Sequence, residues 1–265
     1  MANDIICWWS GGVTSAVSGK IAVDLFGIDR CKFVFIDTHN EADDTYRFKA
    51  DCEKWYGCEI ESVWNPKYQS IQEVWYKFKS LNVANGAICS SELKRAVRLQ
   101  YEKDNEYSHQ VFGFDIKESN RALAMKLNYP DSKPIFPLLF HAISKKHCID
   151  ILFGDGIEPP SAYGIFNNNN CLKTGCVQGG IGYWQKMQTE MPENFYRMAE
   201  VEHELTNLKG EPVTMLKDQS KKNPGLVFLL PHPDYPFIKD ISMMKGKFPE
   251  PLMECNGFCG TRDLG

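Results

Sequence analysis

Ile5-Ile6-Cys7-Trp8-Trp9-Ser10-Gly11-Gly12-Val13-Thr14-Ser15 reads as a buried strand that empties into a glycine turn and then a helix. The glycines allow backbone conformations that a side chain would block, so main-chain N–H groups can approach an anion. The helix expected from about Val13 to Phe26 points its positive end at the same spot. Hydroxyls at Ser10 and Ser15 can add hydrogen bonds to phosphate oxygens. A strand-to-helix turn that uses glycine for geometry alone fits the same residues, so the rest of the chain must decide.

Outward from this stretch, strand and helix alternate. Strand-like runs cover Ile5–Trp9, Lys32–Ile36, Glu59–Trp64 and Gln110–Phe114. Helical patterns cover Val13–Phe26, Asp43–Tyr56, Ile71–Leu81 and Glu92–Tyr101. Such alternation predicts an α/β, Rossmann-like parallel sheet with helices on both faces, joined by right-handed crossovers. Ligands of these sheets bind at the carboxyl ends of the strands, near a switch in strand order. Ser10, Asp37 and Gly113 each follow a strand and are expected at that edge. Residues 1–140 form the expected nucleotide-binding domain. Residues 141–265 read as a small helical and irregular cysteine-rich lobe packed on it. That lobe carries helices near Ser144–Phe153, Gly182–Thr189 and Pro192–Leu208, then loops with one buried run at Val227–Leu230.

At 265 residues, 43% hydrophobic and 24% charged, the composition is that of an ordinary soluble protein. A net charge of -4 gives no general attraction to nucleic acid. The apolar runs are too short to span a bilayer, and Met1-Ala2-Asn3-Asp4 has no basic, signal-type character. A cytoplasmic location is the expectation. The ten cysteines then do not read as a disulfide framework. Cys7, Cys31, Cys52, Cys58 and Cys148 look structural. Cys89, Cys171, Cys176, Cys255 and Cys259 sit among Gly, Asn, Ser and charged residues instead.

Asp37-Thr38-His39, with Glu41 beyond, places a carboxylate at the second strand end, where it can bind ribose hydroxyls, a metal ion or an amino group. The same residues can simply cap the next helix. Cys89 precedes Ser90-Ser91-Glu92-Leu93-Lys94-Arg95. A helix start with two cations one turn on favours the thiolate needed by a nucleophile or an iron–sulfur ligand. Arg121 suits bidentate phosphate or sulfate contact, although Glu118 one turn earlier can pair with it. Cys171-Leu-Lys-Thr-Gly-Cys176 and Cys255-Asn-Gly-Phe-Cys259 form two close pairs that can supply four thiolates to zinc or an iron–sulfur cluster, or act as redox thiols.

In this order the motifs resemble the phosphoadenylyl-sulfate (PAPS) reductase family of the adenine-nucleotide α-hydrolase-like (PP-loop) superfamily. The likeness is closest to phage and bacterial PAPS-reductase-like proteins, with an Asn-Asn-Asn-Cys…Gly-Cys-Val segment and a cysteine-rich C-terminus. It runs from about Ile5 to Cys259. The resemblance implies that Ser10, Gly11, Gly12, Thr14 and Ser15 grip the phosphates of PAPS, adenylyl sulfate or ATP. Asp37, Thr38 and Gly113 would then lie by the nucleotide, and Lys94 and Arg121 would bind sulfate or phosphate oxygens. It further implies a nucleophilic cysteine after a glutamate, where Glu254-Cys255 stands, with a thiol reductant such as thioredoxin and a homodimer as partners. Magnesium would accompany ATP.

The chain departs from the family in several places. Thr14 stands where many ATP-using members carry Asp, and His39 replaces the glycine after Asp-Thr. Asn256-Gly257-Phe258-Cys259 replaces the Gly-x-His continuation. One cysteine stands at 89, where cluster-bearing reductases have two. Three functions remain open on these residues: thiol-dependent reduction of adenylyl sulfate through Cys255 or Cys89, ATP-dependent thiolation of a nucleic acid or base using a cysteine-bound cluster, and a non-catalytic nucleotide sensor.

Overall fold

In the computed structural model, which describes residues 4–83, 86–169 and 171–249, five parallel strands stand in the order β3-β2-β1-β6-β7. They are β1 (Ile5–Trp9), β2 (Cys31–Ile36), β3 (Ile60–Val63), β6 (His109–Val111) and β7 (Pro134–Ile135), with an antiparallel pair β4 (Asn82–Val83) and β5 (Gly86–Ala87) between β3 and β6. The chain builds outward from β1 to β3, then returns to pair β6 with the other side of β1. That reversal opens a crevice at the carboxyl ends of β1 and β6. Every residue of β1 is buried, as a central parallel strand requires.

Alternate residues of β1 feed two cores, following the period-two geometry of a strand. Ile5, Cys7 and Trp9 pack with α1 (Val13–Phe26), α2 (Asp43–Tyr56) and α7 (Lys145–Gly154). Ile6 and Trp8 face α4 (Ala96–Asp104) and α5 (Ser119–Asn128). Helices therefore cover both faces, as the alternation implied. Cys7, Cys31, Cys52 and Cys148 lie in the first of these cores, with Cys58 half-buried against it.

A third core joins α3 (Ile71–Phe78), α8 (Ile181–Glu190) and α9 (Pro192–Lys209) to a three-stranded sheet in the order β10-β9-β8. Its strands are β8 (Leu216–Asp218), β9 (Gly225–Phe228) and β10 (Lys239–Asp240). The cores do not divide the chain at residue 140. Leu138 of the short α6 (Pro137–Phe140) and Cys148 and Leu152 of α7 pack under the main sheet, while α3 packs with the lobe.

Several differences from the sequence reading have local causes. The segment 216–240, read as loops around one buried run, forms strands because β9 supplies a buried centre and short polar neighbours pair on each side. β7 escaped notice because it is only two residues long and begins with proline, a residue tolerated on an edge strand. The helix expected over Glu92–Tyr101 is wound as a π-helix from Ser90 to Arg95 before α4 begins.

The lobe hangs on one buried carboxylate. Glu202 of α9 is fully buried, and its two oxygens accept the backbone N–H groups of Met215 and Leu229, each at 2.7 Å. Burial pushes this carboxyl up to about 8, against the opposing pull of the two amides. The folded state thus holds a proton that the unfolded chain, with its ordinary glutamate, releases at far lower pH. Stability from this group is fully present below the unfolded value and is lost as pH rises through about 8. Wild type should lose up to about 1.4 kcal/mol per pH unit more than Glu202→Gln across this window, measured by urea unfolding from pH 5 to 9.

Candidate functional site

The loop Ser10–Ser15 is a closed hydrogen-bonded turn. Ser15 Oγ accepts from Ser10 N and from Ser10 Oγ, both at 3.0 Å, and donates to the Gly12 carbonyl at 2.9 Å. Gly11 has φ +82°, and a Cβ there would stand 2.8 Å from Thr45 Cγ2, so both conformation and space demand glycine. Gly113 serves the loop by proximity. A Cβ on it would meet Ser15 N at 2.5 Å, so its role in the structure is the close approach of the β6 exit to the start of α1. Thr14 is fully buried.

Glu41 organises the neighbouring strand end. Its carboxylate accepts from Thr38 Oγ1 at 3.0 Å and from Cys171 N at 3.4 Å, and it faces Lys94 Nζ at 3.4 Å. Both charged side chains are buried, at 1% and 5% exposure. Asn40 adds a second tie, donating to Thr174 Oγ1 at 2.8 Å and accepting Lys173 N at 3.4 Å. The cysteine loop is thereby bound to the turn after β2. Asp37 accepts from His39 N at 2.7 Å and from the Tyr46 hydroxyl at 3.0 Å. That charge and burial hold the Tyr46 phenol above its ordinary range.

Cys89, Cys171 and Cys176 line one cavity together with Thr38, Ser90 and Lys94. Two segments meet there. The π-helix brings Ser90, Leu93 and Lys94 to the same wall through its wider i→i+5 turn, which the Ala96 N–H to Ser91 carbonyl bond records. The cysteine loop supplies the other wall. Cys171 adopts φ +52°, a conformation uncommon outside glycine and held here by the bonds from Asn40 and Glu41. Burial, and next the Glu41 carboxylate, push its thiol well up, with Lys94 opposing. Cys176 is half-buried, and its amide donates to Tyr183 Oη at 3.1 Å.

Arg121 lies across the β6 exit. Its Nη1 donates to Glu118 Oε1 at 2.7 Å, and its guanidinium stands 4.5 Å from the Phe114 ring centre. The structure thus gives Arg121 the helix-surface partner that its spacing allowed, and gives Lys94 a carboxylate as well. Cys255 and Cys259 lie outside the described residues. Among the described residues no group of three His, Cys, Asp or Glu side chains is arranged to hold a metal ion, and no helix is long and apolar enough to cross a membrane.

Glu41 and Asn40 carry this geometry together with Tyr163, whose hydroxyl accepts from Val13 N, and Asn169, whose Nδ2 donates to the Gly11 carbonyl. The sequence drew notice to Glu41 and to the asparagine run containing Asn169, but not to Asn40 or Tyr163. Their signal is faint because each acts through partners about 50 to 160 positions away.

A parallel α/β sheet with a glycine turn at its switch point is an architecture in which nucleotide sites are commonly built. Residues 4–108 match the family model described as "Phosphoadenosine phosphosulfate reductase domain". Over that segment, about two fifths of its length, the chain is similar to this domain family. No curated protein sequence matches it. Among solved structures it is similar to the phosphoadenylyl-sulfate reductase from Candida auris in its phosphate complex, at 14% identity and TM-score 0.46, over 61% of this chain and 77% of that one. It is also similar to the U34-tRNA thiolase NcsA from Methanococcus maripaludis with its [4Fe-4S] cluster, at 12% identity and TM-score 0.42, over 81% and 75%.

The buried pair makes a direct prediction. Glu41→Gln leaves Lys94 charged in a buried site and should cost about 3–5 kcal/mol. Glu41→Gln combined with Lys94→Met should recover a large part of that loss in urea unfolding. Equal losses for single and double variants would mean that the pair is not coupled.

Proposed function

We propose that this chain is an enzyme of sulfur chemistry that holds an adenine nucleotide at Ser10–Ser15 and handles sulfur on thiols at the adjoining strand end. The observation that carries the reading is the meeting of Cys89, Cys171 and Cys176 on one cavity with Lys94 and Thr38. Thr38 belongs to the turn after β2, next to the phosphate loop after β1. Nucleotide and thiol can therefore meet without any element having to cross the sheet.

The reaction supported first is reduction of adenylyl sulfate or PAPS. A cysteine thiolate attacks the sulfur, forming a Cys–S–SO3⁻ bond as the sulfur–oxygen bond to the nucleotide breaks. The nucleotide leaves as a phosphate whose new charge falls to the loop amides and the α1 N-terminus. A second thiolate then displaces sulfite and forms a disulfide, which an external thiol donor such as thioredoxin reduces. Cys255 is the proposed nucleophile, and Cys89 is the cavity thiol suited to the second step. Lys94 and Arg121 would meet the sulfate as members of their carboxylate pairs.

That pairing is the observation favouring a second reading. Because Lys94 and Arg121 are already matched to Glu41 and Glu118, the site is not strongly cationic before a ligand enters. ATP-dependent sulfur transfer to a nucleic acid or base has no sulfate to bind at that end, its triphosphate lying on the loop amides. The described residues supply only part of any zinc or iron–sulfur set: Cys171 and Cys176 share the cavity and would be two of its four thiolates.

With adenylyl sulfate or PAPS and a thiol donor, the protein should release sulfite, and Cys255→Ser should lower the rate by roughly a thousandfold or more. Release of AMP or pyrophosphate from ATP only when an acceptor is present, with no sulfite formed, would support the second reading instead.

A further inference from the structure

Helix α1 begins without a cap of its own. Its N-cap is Gly12, and no side chain of that position accepts a first-turn amide. The Val13 N–H instead donates to the hydroxyl of Tyr163, 3.1 Å away and 150 residues further along the chain. A second contact from the same segment meets the loop. Asn169 Nδ2 donates to the Gly11 carbonyl and to Thr45 Oγ1, each at 2.9 Å. In a trans peptide the C=O and N–H point to opposite sides, and no cis bond occurs among the described residues. Fixing the Gly11 carbonyl on Asn169 therefore turns the Gly12 amide away from Asn169.

Two buried polar atoms beside this contact are unsatisfied. Asn169 Oδ1 and Asn168 Nδ2 find no hydrogen-bond partner among the described residues, in side chains only 2% and 1% exposed. Buried groups of this kind are normally paired, so their orphaned state here marks a place completed by something else, a water or a ligand.

The geometry points to Tyr163 and Asn169 as positioning residues that clasp the phosphate loop from the lobe. Asn169 presets the Gly12 amide for an anion. The Tyr163 hydroxyl accepts from the Val13 amide and yields that amide to a phosphate oxygen when an anion binds. A charged oxygen makes a bond to that amide about twice as strong as a neutral hydroxyl does, so exchange favours the ligand. The ligand class is the phosphate or pyrophosphate end of a nucleotide; its adenine part rests on the proposed function above. The clasp also ties the loop to the thiols, since Cys171 follows Asn169 by two positions and donates its amide to Glu41.

The test measures amide hydrogen exchange over residues 11–15, and binding of inorganic pyrophosphate and of ATP, in the full chain. Tyr163→Phe removes only an oxygen and should speed exchange in the empty protein while tightening pyrophosphate binding roughly fivefold, the worth of one competing hydrogen bond. Asn169→Ser should weaken pyrophosphate binding roughly tenfold or more. Unchanged exchange with unchanged or weaker binding in Tyr163→Phe would overturn the clasp, even if Asn169→Ser fails to fold. Variant effects on pyrophosphate without any binding of ATP would support the clasp and defeat the adenine-nucleotide reading. No binding of either anion by wild type would overturn the clasp.

Discussion

A carboxylate buried at the junction of three segments holds this site together. Glu41 is the point where the turn after β2, the π-helix bearing Lys94 and the loop bearing Cys171 meet. Each of these contacts partners a buried polar or charged group, and removing a partner from such a group costs more than the contact itself contributes. The ion pair is thus best understood as a specificity device. It fixes which face of the π-helix turns inward and where the cysteine loop lands.

That constraint explains how an irregular lobe can share a site with a regular sheet. The crevice at the switch between β1 and β6 belongs to the main sheet, while the cavity beside Thr38 is walled by residues between 87 and 94 and between 171 and 178. Tyr163 and Asn169 reach the phosphate loop, while Asn40 and Glu41 reach back to the cysteine loop. Contacts run in both directions, so loop and thiols are positioned relative to each other and not merely to the sheet. The charges follow the same logic. Lys94, beside the turn after β2, and Arg121, beyond β6, are each matched by an acid.

Much of this was legible in the chain. The run Ile5–Trp9 followed by Ser-Gly-Gly announced a central strand and a glycine turn into a helix, because both signals are local. α1, α2 and α9 fall within a residue of their expected bounds for the same reason. The π-helix was not legible, since its sequence carries ordinary helical composition and its winding answers to tertiary contacts. Gly113 could be picked out as a site residue, but its role is a close backbone approach that only the packed structure displays. The meeting of Cys89 with Cys171 and Cys176 was hidden as well. Spacing drew attention to 171 with 176 and to 255 with 259, whereas Cys89 joins through the Lys94–Glu41 pair, a long-range contact that leaves no periodic mark.

Cysteine footprinting by mass spectrometry tests the central claim most directly, because it asks whether nucleotide and thiols share one site. Alkylation rates would be measured for every cysteine, with and without saturating ATP, adenylyl sulfate or PAPS. Nucleotide should slow the modification of Cys89 and Cys176 and leave Cys58, at the opposite end of the strands, unchanged. Rates at Cys89 and Cys176 that ignore a bound nucleotide would contradict the account.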